Sequence, residues 1–361
     1  MHQGLIKETL LQKKGEIYLP LFQYSLKRAN NKYASDGLDS DRLQSLRKSI
    51  LARNALFFAE LKKILIALGE DTIEVILLKG AMMEGIYPPG LRPFNDIDIL
   101  IRKEHLERVK NRLISLGYIP HHSRLPVGLE DTLGEVLFAK AGRLPVPVEP
   151  HWTLGPLLSH LGKPEIDVIW KSAQKAKIWG LDTLIMSPEN SLLHACLHLF
   201  HHYKGNWLCS ACDIAEIARY YNERIDWSVF LKQASDFKVC LPVRYSLEKT
   251  AALFGDSIPS FVLARLAAYR TGKFERLIFT PLANSDRMGT FSLATFWKKE
   301  GIRPKLRYIR AQLFPGREYI IECYSLSNSR LWPLYSVFRL IKAARLAFGT
   351  LINILQTILR R

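Results

Sequence analysis

Two acidic side chains, Asp96 and Asp98, stand two residues apart in the run Asp96-Ile97-Asp98-Ile99-Leu100-Ile101. The alternation of polar and apolar residues predicts a half-buried strand. Side chains two apart on a strand share a face, so the two carboxylates point the same way while Ile97 and Ile99 face a core. Neighbouring carboxylates repel each other, and a cation between them relieves the repulsion. A few carboxylate oxygens completed by water suit Mg²⁺ that also carries a phosphate substrate. An isolated D-x-D is more often a turn residue followed by a solvent-facing acid, so its surroundings have to decide. Upstream, the apolar run Val75 to Leu78 stops at Lys79-Gly80. Lys79 can serve as a point cation for a phosphate, and Gly80 allows close backbone approach. Downstream, Glu149 is followed by His151 and Trp152.

The elements that must position these groups can be read in order. Val75 to Leu78 predicts a strand, a helical segment follows, and Pro88-Pro89-Gly90 marks a turn before the D-x-D strand. Lys103 to Leu116 predicts an amphipathic helix closed by Gly117. Val136 to Ala139 and Val146 to Glu149 predict two more strands.

Taken together, Leu78-Lys79-Gly80, Tyr87-Pro88, Arg92, Asp96 to Ile101, Leu116-Gly117-Tyr118 and Glu149-Pro150-His151-Trp152 resemble the uncharacterised bacterial nucleotidyltransferase family. That family lies within the DNA polymerase beta-like nucleotidyltransferase superfamily. The resemblance implies a polymerase beta-like core, a small mixed sheet with flanking helices; with the helical patterns of the later residues, the expected fold is α+β with a mainly α-helical second domain and basic amphipathic C-terminal helices. It implies that Asp96, Asp98 and Glu149 hold two Mg²⁺ ions, with Mn²⁺ as a substitute, and carry the catalysis. Lys79, Gly80, Arg92 and His151 would contact the nucleotide. The implied reaction moves a nucleoside monophosphate from a nucleoside triphosphate to an acceptor hydroxyl on a sugar, an envelope-glycan precursor, a peptide or a protein. The alternative is a catalytically inactive binding or regulatory protein on the same fold. One departure is visible: superfamily members carry Gly-Ser after the first strand, and this chain has Lys79-Gly80.

Four regions are expected. Residues 1–71 read as helices packing on the core, with Asp39-Ser40-Asp41 as an N-cap, and 72–155 as the catalytic core. Residues 156–285 read as all-helical. On a helix starting at Pro188-Glu189-Asn190, His194, His198 and His201 share one face, and Cys209-x-x-Cys212 follows. A single Cys pair is weak support for zinc, and structural histidines are the default. By resemblance, His194, His198 and Asp213 are buried partners or line the cleft. Residues 286–361 read as a linker and a basic helical tail.

The chain has 361 residues, 48% apolar and 24% charged, which is ordinary globular composition. The five scattered cysteines and the lack of an evident secretory signal fit a reducing cytoplasm. Formal net charge is +17. From Gly301 to Arg361, eleven Lys/Arg face two Glu, a net of +9, which implies an anionic partner. From Leu331 onward apolar residues fall on one face and basic or polar ones on the other. Arg339, Lys342 and Arg345 interrupt any apolar run of spanning length. The pattern fits a peripheral anchor on an anionic membrane at its cytoplasmic face, or a helix that docks on protein. Specific nucleic-acid binding ranks last, since no P-loop, G-x-G-x-x-G or nucleic-acid motif is present.

Overall fold

The long helix that opens the described core starts where the sequence offers a cap. The Asp39 carboxylate accepts the Asp41 N–H at 3.0 Å, satisfying one of the orphan donors of a first helical turn. Helix α2 (Ser40–Glu70) follows α1 (Leu19–Arg28). Ile50, Phe57, Leu61 and Ile64 of α2 recur every three to seven residues and are fully buried, so one stripe of the helix lies on the core. The computed structural model describes residues 16–29, 39–121, 134–141, 145–155, 163–201, 207–255, 257–272, 275–276, 279, 301–324, 326 and 328–359. The expected linker over 286–300 lies outside them.

Among the described residues, seven strands form one mixed sheet in the order β3–β4–β5–β2–β1–β7–β6. These are β1 (Ile76–Leu77), β2 (Ile97–Leu100), β3 (Ile119–His121), β4 (Leu137–Lys140), β5 (Val146–His151), β6 (Gln174–Ile178) and β7 (Leu181–Ile185). The fold is α+β. Strand β1 runs antiparallel to β2 and leads into the short helix α3 (Lys79–Met83). Helix α4 (Leu106–Ser115) follows β2. Strand β5 lies parallel to β2, with Asp98 opposite Glu149 and Leu100 opposite His151. Because strand side chains alternate faces, this register puts Asp98, Glu149 and His151 on the same side. The strand starts at Ile97, so Asp96 sits in the bend just before it.

The expectation of an all-helical stretch from 156 fails at β6 and β7. Helix α5 (Lys163–Lys171) is followed by this antiparallel hairpin, whose second strand pairs in parallel with β1. Its two-residue turn, Trp179-Gly180, has φ of 48° and 76°, the positive values that type I′ hairpins require. A bulky residue there is unusual, and tertiary contacts hold it. The Trp179 ring stacks on Phe58 at 4.8 Å and 10°, and its Nε1–H donates to Glu84 Oε2 at 3.2 Å.

Beyond the hairpin come α6 (Pro188–His201), α7 (Trp207–Tyr221), α8 (Trp227–Asp236), α9 (Cys240–Phe254) and α10 (Ser260–Ala268). A continuous apolar core joins Phe57, Leu61 and Ile64 to the inner residues of the sheet and to Leu193, Phe200, Ile214 and Ile217 of α6 and α7. Helices α11 (Ile302–Leu313), α12 (Arg317–Cys323) and α13 (Trp332–Leu359) complete the described chain, with α13 packed on α12. Leu334, Val337, Phe338, Ile341 and Phe348 of α13 are exposed. The side chains of Leu351, Ile352, Leu355 and Ile358 lie outside the described residues.

Under α3 the packing leaves no room for a side chain. A Cβ on Gly80 would lie 2.2 Å from Phe94 Cβ and 3.4 Å from Phe94 Cα. Phe94 is itself wedged edge-on against Phe57 and Phe58 at 5.2 and 5.3 Å. Gly80→Ala is therefore expected to lower stability by about 2 kcal/mol or more, read as a reduced urea midpoint with an unchanged slope.

Candidate active site

Leu78 ends the first strand segment, and its N–H donates to the Asp98 carbonyl at 3.1 Å. The next residue, Lys79, has φ of 43°, a left-handed conformation that costs a non-glycine residue about 1–2 kcal/mol. The Lys79 Nζ donates to Asp98 Oδ1 at 2.8 Å. The same oxygen lies 2.8 Å from His151 Nε2. On its other side the His151 ring places Nδ1 3.2 Å from Glu135 Oε2, and His151 Nε2 lies 3.8 Å from Glu149 Oε2. Asp98, Glu149 and His151 are all buried, at 0%, 2% and 1% exposure.

These three residues form a group that can hold a metal ion: one ligand atom from each lies within 4.8 Å of the others. Asp98 Oδ2 is buried without a hydrogen-bond partner among the described residues, and a buried carboxylate oxygen in that state is costly. Two carboxylates and an imidazole are a donor set that Mn²⁺ and Mg²⁺ accept. The residues therefore fit a divalent cation.

Burial by itself would raise the Asp98 carboxyl, but the Lys79 ammonium and His151 outweigh it and hold it well below the ordinary carboxylate range. Burial likewise works against the Lys79 charge, and Asp98, Glu149, Glu135 and Asp96 more than offset it, raising the ammonium pKa. Asp96 behaves in the opposite way. Burial and repulsion from Asp98 and Glu149 push it up to about 7, against the pull of Lys79 and Arg92.

Lys79 connects this cluster to a cavity of about 370 Å³. One wall carries Lys79, Gly80, Arg92, Asn95 and Asp96; the other carries Ser191, His194, His198, Ser210 and Asp213 from α6 and α7. The expected residues thus divide. Asp98, Glu149 and His151 meet below the cavity, with Lys79 at the junction, while Asp96 lines the cavity itself. Arg92 is committed to Asp213 through a two-point ion pair, Nε to Oδ1 at 3.2 Å and Nη2 to Oδ2 at 2.8 Å, and Tyr87 donates to the same carboxylate at 3.2 Å. Gly80 lines the cavity, yet its missing Cβ is demanded by Phe94. His151 is buried beside Asp98, and Trp152 is a core residue.

His194 and His198 line the cleft, and His194 is buried there. His198 Nδ1 lies 3.0 Å from Ser210 Oγ. Cys209 and Cys212 are buried free thiols, and burial pushes Cys209 up to about 12, which favours the thiol over a zinc-binding thiolate. Sequence reasoning missed Glu135, Tyr18 and Asn95. Tyr18 accepts a hydrogen bond from Asn95 Nδ2 at 3.0 Å, and both line the cavity. Nothing local in the sequence marks a contact across such a separation.

The chain belongs to the uncharacterised nucleotidyltransferase family, whose profile matches residues 17–255. No curated protein matches it. Among solved structures it is similar to an antigenic nucleotidyltransferase-like protein from Paracoccidioides brasiliensis, at 15% identity and a TM-score of 0.36, covering 56% of this chain and 89% of that one. It is also similar to the antibiotic-resistance factor ANT(2'')-Ia, at 14% identity and a TM-score of 0.33, covering 55% and 98%.

Burial, with Lys79 and His151 nearby, lowers His194 from 6.5 to about 3. Between these values the unfolded chain binds a proton that the folded chain refuses, so stability rises with pH across this window and is lost as pH falls. One such proton contributes about 1.4 kcal/mol per pH unit. His194→Gln should remove that slope, read by urea unfolding at several pH values between 6.5 and 4. An unchanged pH dependence would contradict a neutral buried His194.

Proposed function

We propose that this chain is a metal-dependent nucleotidyltransferase that moves a nucleoside monophosphate from a nucleoside triphosphate to an acceptor hydroxyl, which gives up its proton as the α–β phosphoanhydride bond breaks and pyrophosphate leaves. The supporting observation is the convergence of Asp98, Glu149 and His151 on one side of the sheet, joined through Lys79 to a cavity with cationic and acidic walls. A divalent cation held there would supply charge for the phosphates and acidify the acceptor hydroxyl. The chain's own residues do the rest. Asp98 and Glu149 carry the negative charge that recruits the cation, and His151, braced by Glu135, orients Asp98. Lys79 offers an ammonium to a phosphate in the cavity, and Asp96, at the cavity wall, contributes a further carboxylate. Arg92, held by Asp213, fixes the cavity wall to α7. The α6–α7 wall faces the position of an acceptor, which is a sugar, an envelope-glycan precursor, a peptide or a protein.

The ion pair between Lys79 and Asp98 favours a second reading, a binding or regulatory protein whose buried acid is already neutralised. Calorimetry separates the two. Wild type should bind a nucleoside triphosphate only with Mg²⁺, and Asp96→Asn/Asp98→Asn should weaken binding by about tenfold or more. A folded wild type that binds no nucleoside triphosphate would overturn the enzyme reading and leave the second.

The C-terminal helices support a peripheral site at an anionic membrane. Among the described residues no helix is long and apolar enough to cross a membrane. Helix α13 instead exposes Val337, Phe338 and Ile341 beside exposed Lys342 and Arg345, the pattern of a helix lying in the lipid interface. The whole chain should sediment with vesicles rich in phosphatidylglycerol and not with phosphatidylcholine alone. Phe338→Asp/Ile341→Asp should weaken this by about tenfold; undiminished sedimentation of the variant would overturn insertion of this face, and a wild type that does not sediment would speak for a protein partner.

A further inference from the structure

Lys79 is the one residue described above that touches both the buried cluster and the cavity. Its Nζ bonds Asp98 Oδ1 at 2.8 Å, yet its side chain keeps 19% exposure and lines the cavity. The oxygen it occupies belongs to the same carboxylate that is close enough to Glu149 and His151 to share an ion with them. The other oxygen, Oδ2, is buried and has no hydrogen-bond partner among the described residues. The backbone at Lys79 sits at positive φ, where glycine would be relaxed. A long cationic side chain is nevertheless kept at that position.

We propose that Lys79 is a displaceable counter-ion. With the cavity empty its ammonium holds the place of a divalent cation on Asp98. When a divalent cation and a polyphosphate enter together, the cation takes the carboxylate and the ammonium moves to a phosphate oxygen. The physical basis is charge and reach. An ammonium at hydrogen-bond distance and a divalent cation at coordination distance cannot share one buried carboxylate without strong repulsion. The flexible lysine stem lets the charge swing a few ångströms into the cavity, as a rigid guanidinium could not. Two consequences follow: the metal alone binds weakly, and metal and polyphosphate strengthen each other's binding by the same factor. The identity of the polyphosphate rests on the nucleotidyltransferase reading; the competition at Asp98 does not.

The test is Mn²⁺ binding to the whole chain without nucleotide, followed by electron paramagnetic resonance of the free ion. Lys79→Met and Lys79→Gly should each bind Mn²⁺ about tenfold or more tightly than wild type. Lys79→Arg, which keeps the charge, should stay close to wild type. Lys79→Gly also relieves the backbone at positive φ, so it decides the matter if Lys79→Met does not fold. Folding of Lys79→Met only when Mn²⁺ is added would support the proposal too, because the ion would then be supplying the missing charge. The proposal is overturned if folded Lys79→Gly binds Mn²⁺ no more tightly than wild type, or if Lys79→Arg gains as much as Lys79→Met. Tighter Mn²⁺ binding by the variants, in a chain whose wild type binds no nucleoside triphosphate, would reject the transfer reading and leave the counter-ion role standing.

Discussion

A carboxylate with no solvent exposure sits on the central strand of the sheet, and much of the site is arranged to satisfy it. Asp98 cannot be ionised there without nearby positive charge, because removing an ion from water costs several kcal/mol even after relaxation. The Lys79 ammonium supplies that charge at 2.8 Å, and the His151 ring lies at hydrogen-bond distance from the same oxygen, also at 2.8 Å. Each contact imposes a further demand. Lys79 reaches Asp98 from a backbone at positive φ directly after β1. His151 reaches it because β5 lies parallel to β2 in a register that sets Glu149 opposite Asp98. On the far side of the imidazole, Glu135 Oε2 lies 3.2 Å from Nδ1.

The second constraint couples the sheet to the helices. Arg92 and Asp213 are about 10% exposed and meet in a fork geometry suited to a guanidinium and a carboxylate. Asn54 on α2 donates to the Arg92 carbonyl at 2.9 Å, so α2, the segment before β2, and α7 are tied at one point. The cavity lies beside this tie. Its two walls come from parts of the chain more than ninety residues apart, and the ion pair sets their spacing. Charge placed in this way serves geometry as much as stability, since a hydrophobic pair could hold the walls together without fixing a direction.

For function, the division of acids matters. Asp98 and Glu149 lie under the cavity, whereas Asp96 lines it, and their environments push Asp96 and Asp98 in opposite directions. A pair of carboxylates separated in this way suits different tasks, one as an ionised ligand and one as a group that can exchange a proton near neutrality. The chain that carries this arrangement belongs to the uncharacterised nucleotidyltransferase family.

Local sequence determined a good deal. The Asp39 cap, the helix after β2, strands β4 and β5, the start of α6 and the apolar alternation after Asp96 were all legible, because capping, periodicity and alternation act over a few residues. The order of motifs from Leu78 to Trp152 was enough to point to the family. Tertiary structure alone decided the rest. That Lys79 neutralises Asp98, that Arg92 is held by Asp213, that Gly80 is small because of Phe94, and that Tyr18 and Glu135 belong to the site all depend on partners 14 to 121 residues distant. The Trp179-Gly180 hairpin shows the boundary between the two. Its strands alternate, but its turn residue is acceptable only because Phe58 and Glu84 hold the indole. A one-dimensional pattern states which residues prefer water or a core; it does not state which buried charges will meet, because that is fixed by sheet register and helix packing.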